Sequence, residues 1–226
     1  MFYIAGDGMT QETLQYDDQI RQTHPVLVGC DEVGRGCLAG PIVTAAVVLP
    51  AGVDIEGVMD SKKTRKCDHE LLAHRIFDIA LEIQMGVKSP AEIDKVGILE
   101  ADREAMRDSI NQLHVKPDMI LIDGDRRQLL GTPYEERTLV KGDAHSLTIG
   151  AASIIAKYVR DRLMSDYDNQ YPGYGFAKNA GYGTQQHRDA LARLGITPIH
   201  RLTFEPIKSH VNLWPKNNGQ GGDTYD

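Results

Sequence analysis

Three short apolar segments of this chain have the composition of β-strands, and acidic side chains follow each of them closely. In sheets whose strands alternate with helices, the carboxyl ends of neighbouring strands meet at one edge, and ligands bind there. The pattern therefore constrains both the fold and the place where chemistry could occur. The strands and their acids are Val26–Cys30 with Asp31 and Glu32, Met119–Ile122 with Asp123, and Thr138–Val140 with Asp143.

Helical patterns lie between and after these strands, with apolar residues recurring every three or four positions. A run of small residues at 149–153 predicts that one long helix packs closely on the sheet. Together the elements predict an α/β fold in which a central mixed β-sheet is flanked by helices, with a helical C-terminal part. The other predicted elements are a strand at Ile42–Leu49 and helices at Asp68–Gln84, Ile98–Leu113, Ser146–Gln170 and Gln185–Leu194, the last capped by Thr184 and closed by Gly195.

Length and composition narrow the class of protein. The 226 residues suffice for one sizeable core, and no segment has the roughly 18 apolar residues that a membrane span needs. The N-terminus lacks the basic and apolar regions of a signal peptide, and Cys30, Cys37 and Cys67 do not have zinc-site spacing. These features predict a cytoplasmic protein that does not bind membranes.

The charge distribution leaves two interpretations open. A net charge of −7 argues weakly against nucleic-acid binding, but several basic residues are clustered. Each cluster fits either a solvated surface or a phosphate-binding groove beside an acidic centre. The clusters are residues 62–66, residues 126–127, and Arg160 with Arg162.

Each acidic position has a structural alternative when it is considered alone. Asp123 with Gly124 is a common turn pair, and Asp143 could cap the helix that follows it. Four carboxylates at one sheet edge would repel one another, however, and two Mg²⁺ or Mn²⁺ ions would offset that repulsion. Such an ion pair can promote phosphodiester cleavage. The sequence has no H-E-x-x-H motif and no P-loop, and His145 and His200 are either structural or site-edge residues.

Several longer motifs make the chain similar to the ribonuclease HII family. They occur in the order expected for that family and cover about residues 26–208. The last of them have the form typical of bacterial members. The motifs are Gly29–Gly36 with Leu38, Gly40 and Pro41; Asp60–Lys63; Leu121–Gly124; Val140–Asp143; Ala151–Lys157; Arg160-Asp161; Tyr174–Phe176; Gly181–Thr184; and His200-Arg201.

The resemblance implies an RNase H-like fold and an endonuclease that cleaves the RNA strand of RNA–DNA hybrids. It also implies incision on the 5′ side of single ribonucleotides embedded in duplex DNA, leaving a 3′-hydroxyl and a 5′-phosphate. Two Mn²⁺ or Mg²⁺ ions are expected in the active site when substrate is bound. We further expect a monomer, with a catalytic domain at 25–208 between an N-terminal extension at 1–24 and a polar tail at 209–226.

The resemblance also assigns roles to individual residues. A protein can distinguish RNA from DNA by the ribose 2′-hydroxyl, and glycines would let the backbone approach it closely. Lysines would contact phosphates, which position a duplex without reading its sequence. The catalytic and metal-binding residues are Asp31, Glu32, Asp123 and Asp143; the residues that read the ribose and its phosphate are Gly34, Arg35 and Gly36; Tyr182 packs on the sugar at the RNA–DNA junction; and Lys62, Lys63 and Lys157 contact phosphates.

Two alternatives to this function remain at the level of sequence. Ribonuclease HIII is the nearest, although it usually carries an added N-terminal domain and a glutamate at the position of Asp143. The other is a non-catalytic nucleic-acid-binding module on the same fold, which we would expect to lack one of the four acids. Asp102 and Arg103 depart from the family pattern, because an apolar helix segment is expected there.

Overall fold

The computed structural model describes residues 16–58, 66–126, 128–129, 132–210 and 212. Lys62, Lys63 and most of the C-terminal tail therefore lie outside the described residues. Within the described ranges, no helix combines the length and the apolar character needed to cross a bilayer.

A five-stranded mixed sheet flanked by helices confirms the predicted fold class, and its strand order is β3-β2-β1-β4-β5. The strands are β1 Leu27–Val33, β2 Ile42–Val48, β3 Glu82–Lys88, β4 Met119–Asp123 and β5 Glu136–Leu139. The helices are α1 at residues 16–21, α2 Lys66–Ile79, α3 Pro90–Val96, α4 Ile98–Asn111, α5 Leu147–Gln170, α6 Phe176–Asn179, α7 Gln185–Leu194 and α8 Ile207–His210.

Strands β1, β4 and β5 are parallel neighbours. Leu27 pairs with Met119 at the start of β1, and Cys30 pairs with Ile122 near its end. Helices cover both faces of such a sheet, and β4 is accordingly buried along its apolar residues. The register brings the carboxyl ends of the three strands to the same edge.

The described chain forms two compact units, each with its own apolar core. The first unit comprises the described parts of 1–33, 44–86 and 103–158, and its core includes Val28, Ile120 and Ile122. The second comprises the described parts of 34–43, 87–102 and 159–226. Its core contains Tyr174 and Phe176, whose rings are stacked, together with aliphatic residues of α7.

Three predicted elements differ from the structure. The first strand, predicted to end at Cys30, continues to Val33, so Asp31 and Glu32 lie within β1. The helix predicted to end at Gln84 ends at Ile79, because the N–H of Leu81 donates to the carbonyl oxygen of Val48 at 2.9 Å and draws the chain into the sheet as β3. The segment predicted as a buried strand at Thr138–Val140 instead ends the edge strand β5. Val140 lies beyond that strand and is 66% exposed.

Close packing of α5 on the sheet is confirmed. A Cβ atom at Gly29 in β1 would overlap the backbone of Thr148, so only glycine permits this approach. Ala151 and Ala152 of the small-residue run are fully buried. Asp17 of α1 accepts hydrogen bonds from the N–H and the hydroxyl of Thr148, at 2.9 and 2.7 Å, and so caps the start of α5.

Candidate active site

Asp31 and Asp123 occupy corresponding positions on the parallel neighbours β1 and β4. Cys30 pairs with Ile122, so the next residue along each strand is one of these acids. Asp31 is only 6% exposed. Burial and the charges of Glu32 and Asp123 raise the pKa of Asp31 well above its usual value. The structure thus brings three of the four predicted acids within electrostatic reach of one another.

The fourth acid, Asp143, lies in a 3₁₀ turn beyond β5 that is tied to Asp123. The N–H of Gly142 donates to Oδ1 of Asp123 at 2.6 Å. Lys141 enters the turn in the left-handed conformation, with φ at 57°. Asp143 is 5% exposed. The turn therefore fixes the orientation of the Asp123 carboxylate from the loop that carries Asp143.

Helix α5 supplies a further side chain to this acidic edge. The hydroxyl of Ser153 hydrogen-bonds the Asp31 carboxylate, and this bond lowers the pKa of Asp31 against the larger effect of burial. Lys157 follows Ser153 by four residues, so it lies on the same face of the helix. Lys157 is half-buried. The helix face that contacts Asp31 thus also carries the predicted phosphate-binding lysine.

The chemistry of this acidic edge fits hard divalent cations. All four predicted ligands are carboxylates, the donor type that Mg²⁺ and Mn²⁺ prefer. Burial, together with repulsion from Glu32 and Asp123, raises the pKa of Asp31, and a bound cation would offset both effects. Among the described residues, however, no three His, Cys, Asp or Glu side chains are already gathered closely enough to hold a metal ion.

In the second unit, the buried side chain of Arg160 lies against the predicted recognition segment, Gly34-Arg35-Gly36. Its guanidinium donates to the carbonyl oxygens of Pro41 at 2.9 Å, Ala39 at 3.1 Å and Ala180 at 2.7 Å. Gly34 has a φ of 100°, and a Cβ atom there would collide with this guanidinium. Glycine is therefore required at position 34 for both conformation and space.

A second buried arginine, Arg201, orients the centre of the same segment. It donates to the Gly40 carbonyl oxygen at 3.0 and 2.9 Å and to the Arg35 carbonyl oxygen at 3.0 Å. The C=O and N–H of a trans peptide point in opposite directions, so the N–H of Gly36 points away from Arg201. Burial lowers the pKa of Arg201 to about 10, and the side chain stays charged at neutral pH.

The structure places Tyr182 beside Gly36. A Cβ atom built at Gly36 would lie 4.0 Å from Cε1 of Tyr182, an ordinary contact distance. The Tyr182 hydroxyl hydrogen-bonds the sulfur of the buried Cys37. Tyr182 as a whole is 46% exposed, so its hydroxyl is anchored while the residue remains accessible to a ligand.

The Arg35 side chain is 42% exposed and forms an ion pair with Asp102. The distance from Nε of Arg35 to Oδ2 of Asp102 is 3.6 Å, and the Asp102 side chain is 1% exposed. Asp102 is one of the two residues that depart from the family pattern. As a consequence of that departure, the predicted recognition residue Arg35 has a carboxylate beside it where the family pattern leads us to expect an apolar side chain.

Sequence reasoning missed several residues that organise these groups. Arg160 was expected on a solvated surface or in a phosphate-binding groove, and that interpretation is wrong because the side chain is fully buried. The other missed residues are Ser153 and Arg201. All three stand in motifs that resemble the family, which was the only signal available for them.

The comparison with protein families decides the identity of the chain. The family model described as Ribonuclease HII matches residues 28–207, which include all four acids and the recognition segment. The chain belongs to the ribonuclease HII family. Membership makes it a hydrolase, an endonuclease of the ribonuclease H type that cleaves the RNA strand of RNA–DNA hybrids. Ribonucleases H generally use divalent metal ions.

Solved structures of ribonucleases HII agree with the family match. The ribonuclease H2 from Pyrococcus horikoshii is 29% identical, with a TM-score of 0.71 over 81% of this chain and 95% of that one. Ribonuclease HII from Archaeoglobus fulgidus, solved in complex with PCNA, is 27% identical, with a TM-score of 0.68 over 80% and 95%. Bst-RNase HIII in complex with Mn²⁺ shares the fold at 20% identity, with a TM-score of 0.65 over 83% and 70%.

Proposed function

We propose that this ribonuclease also incises duplex DNA on the 5′ side of single embedded ribonucleotides, by two-metal-ion hydrolysis that leaves a 3′-hydroxyl and a 5′-phosphate. One observation carries the proposal. Asp31 and Asp123 occupy matched positions on parallel strands, and the turn that carries Asp143 hydrogen-bonds Asp123. This arrangement places acids from distant parts of the chain along one sheet edge.

The four acids act together as the metal ligands in this proposal. Asp31, Glu32, Asp123 and Asp143 would hold two Mn²⁺ or Mg²⁺ ions through carboxylate oxygens. Bound ions would supply positive charge at the scissile phosphate and lower the pKa of water there. The hydrogen bond from Ser153 favours the ionised form of Asp31, which is the form that binds a cation.

The Gly34-Arg35-Gly36 segment and Tyr182 would recognise the ribonucleotide. The N–H of Gly36 points away from Arg201, and the absence of a side chain at Gly36 lets a ribose approach it. Tyr182 would pack its exposed ring edge on the sugar at the RNA–DNA junction. Glu32 and Gly34 are two positions apart in the chain, so a short stretch of backbone joins the proposed metal-binding residues to the proposed recognition residues.

The remaining assignments complete the proposal. Lys157, together with Lys62 and Lys63, would contact backbone phosphates and position the duplex. The catalytic domain would span 25–208, with an N-terminal extension at 1–24 and a tail at 209–226, and the protein would act as a cytoplasmic monomer.

A nicking assay with matched variants tests the proposal. The substrate is a DNA duplex with one ribonucleotide, incubated with Mn²⁺ or Mg²⁺ and, in parallel, with EDTA. We expect nicking by the wild type in either metal, none in EDTA, and a loss of at least about 100-fold in Asp123→Asn. Asp125→Asn is the control, because Asp125 undergoes the same chemical change two residues away, with its side chain 78% exposed. Undiminished cleavage by Asp123→Asn would rule out the metal assignment.

A ribonuclease HIII type of activity is the alternative that this assay separates. Such an enzyme would cut long RNA–DNA hybrids and leave the single embedded ribonucleotide intact. The aspartate at position 143 favours the HII type. The match of the Ribonuclease HII family model over most of the chain favours it as well.

A further inference from the structure

Two buried histidines, His187 of α7 and His200, form a hydrogen-bonded pair in the second unit. Their Nε2 atoms are 3.0 Å apart, and the side chains are 0% and 2% exposed. The rings of Tyr174 and Phe176 pack against both of them. The proposed catalytic and recognition residues include neither histidine, so the pair requires a separate explanation.

Neighbouring groups determine where the protons of the pair reside. The backbone N–H of Thr197 donates to Nδ1 of His200 at 2.9 Å, and the Thr197 hydroxyl lies 2.8 Å from the same nitrogen. A backbone N–H can only donate. Nδ1 of His200 is therefore an acceptor, and its proton must be on Nε2. Since only one proton can occupy the short contact between the rings, Nε2 of His187 is also an acceptor, and the proton of His187 is on Nδ1.

In this arrangement the remaining N–H donor of the pair, Nδ1 of His187, faces the backbone of Tyr182. Nδ1 of His187 lies 3.0 Å from the Tyr182 carbonyl oxygen. The same oxygen accepts from the N–H of Thr184 at 2.7 Å, and the N–H of Tyr182 donates to the carbonyl oxygen of Asn179 at 2.9 Å. These hydrogen bonds form a relay, in which every bond points the same way, from the N–H of Thr197 through both rings to the backbone of Tyr182.

Both rings must be neutral for the relay to exist. A second proton on either ring would place two N–H groups against each other or against the N–H of Thr197. Burial lowers the pKa of His187, and burial together with the neighbouring His187 lowers the pKa of His200 to about 3. The charged group that acts on His187 from its own helix, Arg188, also disfavours a second charge.

We propose that the His187–His200 relay is a positioning device that sets the backbone of Tyr182, and thereby the discrimination between ribose and deoxyribose at the RNA–DNA junction. The inference rests on the proposed role of Tyr182 in recognition. His187 and His200 act through Tyr182, so they are positioning residues and not catalytic ones. Misplacing a positioned group by about 1 Å can cost a factor of 100 in rate.

Nitrogen-15 NMR of the wild-type imidazoles tests the relay without any measurement of activity. We expect His187 protonated on Nδ1 and His200 protonated on Nε2, both neutral at pH 7, with a scalar coupling across the Nε2–H···Nε2 bond. An opposite tautomer at either residue, or a charged ring, would overturn the proposal even if no variant could be purified.

Three variants test the link to Tyr182. His200→Asn removes the donor to His187, whereas His200→Gln keeps an amide N–H at similar reach. We expect His200→Asn to lower kcat on a single embedded ribonucleotide about ten-fold or more and kcat on a long hybrid less than three-fold, with His200→Gln retaining most activity. His210→Asn, a change at an exposed histidine of α8, is the control.

A double-mutant cycle with Tyr182→Ala separates the outcomes. If the relay acts through Tyr182, His200→Asn has little further effect once Tyr182→Ala is present. Effects that multiply would show that the histidines act elsewhere and would overturn the inference. If the wild type itself fails to nick the embedded ribonucleotide, the proposed function fails, whereas the NMR result still decides whether the relay exists.

Discussion

Lowering the pH from 7 to 5 should destabilise this protein measurably through His200. The folded chain lowers the pKa of His200 from 6.5 to about 3, so the unfolded chain binds more protons throughout that interval. Stability therefore falls as the pH drops through 6.5 and continues to fall towards 3. Integrating between pH 7 and pH 5 gives a loss of about 2 kcal/mol in the free energy of unfolding from His200 alone.

Burial of the ring is the main cause of the low pKa of His200, and the neighbouring His187 adds to it. Nε2 of His200 carries the proton that faces His187, so a second proton on the ring would have to bind Nδ1 and would displace the hydrogen bond from the N–H of Thr197. His187 contributes in the same direction, because burial lowers its pKa as well. Asp31 contributes in the opposite direction, since its raised pKa makes the folded state bind a proton more readily.

Urea unfolding followed by far-ultraviolet circular dichroism measures the effect at both pH values. His200→Gln isolates it, because this variant keeps a donor to His187 and lacks the titrating ring. We expect the loss of stability between pH 7 and pH 5 to be about 2 kcal/mol smaller in His200→Gln than in the wild type. Identical pH dependence in the two proteins would refute the argument, because it would mean that His200 titrates normally in the folded chain.

Three further substitutions give distinct expected outcomes. Gly36→Ala should leave the melting temperature unchanged, since its methyl group has room at ordinary contact distance, and should lower nicking of an embedded ribonucleotide about ten-fold by blocking the approach of the sugar. Gly34→Ala should lower the free energy of unfolding by about 1–3 kcal/mol in urea titrations, because φ is 100° and the new Cβ would collide with Arg160. Ser153→Ala should move the acid limb of the pH–rate profile to higher pH, since the lost hydrogen bond favours ionised Asp31; an unmoved limb would show that Asp31 is not the group that titrates there.

The sequence was sufficient to predict the fold class and the placement of Asp31 and Asp123 at one sheet edge. The apolar runs before these two acids carry a strong local signal, and parallel pairing through helices then leaves little choice about which edge they share. The break between α2 and β3 was harder to predict. Ile83 continues the helical spacing, whereas in the structure the N–H of Leu81 bonds the carbonyl oxygen of Val48, which is distant in sequence.

The buried side chains that contact the recognition segment and Tyr182, directly or through another residue, could not be predicted from residue type and spacing. Arginine is mostly exposed in proteins and histidine is intermediate, so the residue types of Arg160, Arg201 and His200 do not indicate burial. The two arginines are buried against carbonyl oxygens of loops that are far away in the chain, and His200 is buried against His187 of α7. Asp102 is the opposite case: the sequence marked it as a departure, and only the structure showed that its partner is Arg35.

The most direct test of the account is the cleavage pattern of the wild type on three matched duplexes in Mn²⁺ and in Mg²⁺. One is all DNA, one contains a single ribonucleotide, and one is a long RNA–DNA hybrid of the same sequence. The account predicts no cut in the first, one nick on the 5′ side of the ribonucleotide with 3′-hydroxyl and 5′-phosphate ends in the second, and cuts in the RNA strand of the third. Cleavage of the long hybrid with the single-ribonucleotide duplex left intact would contradict the account.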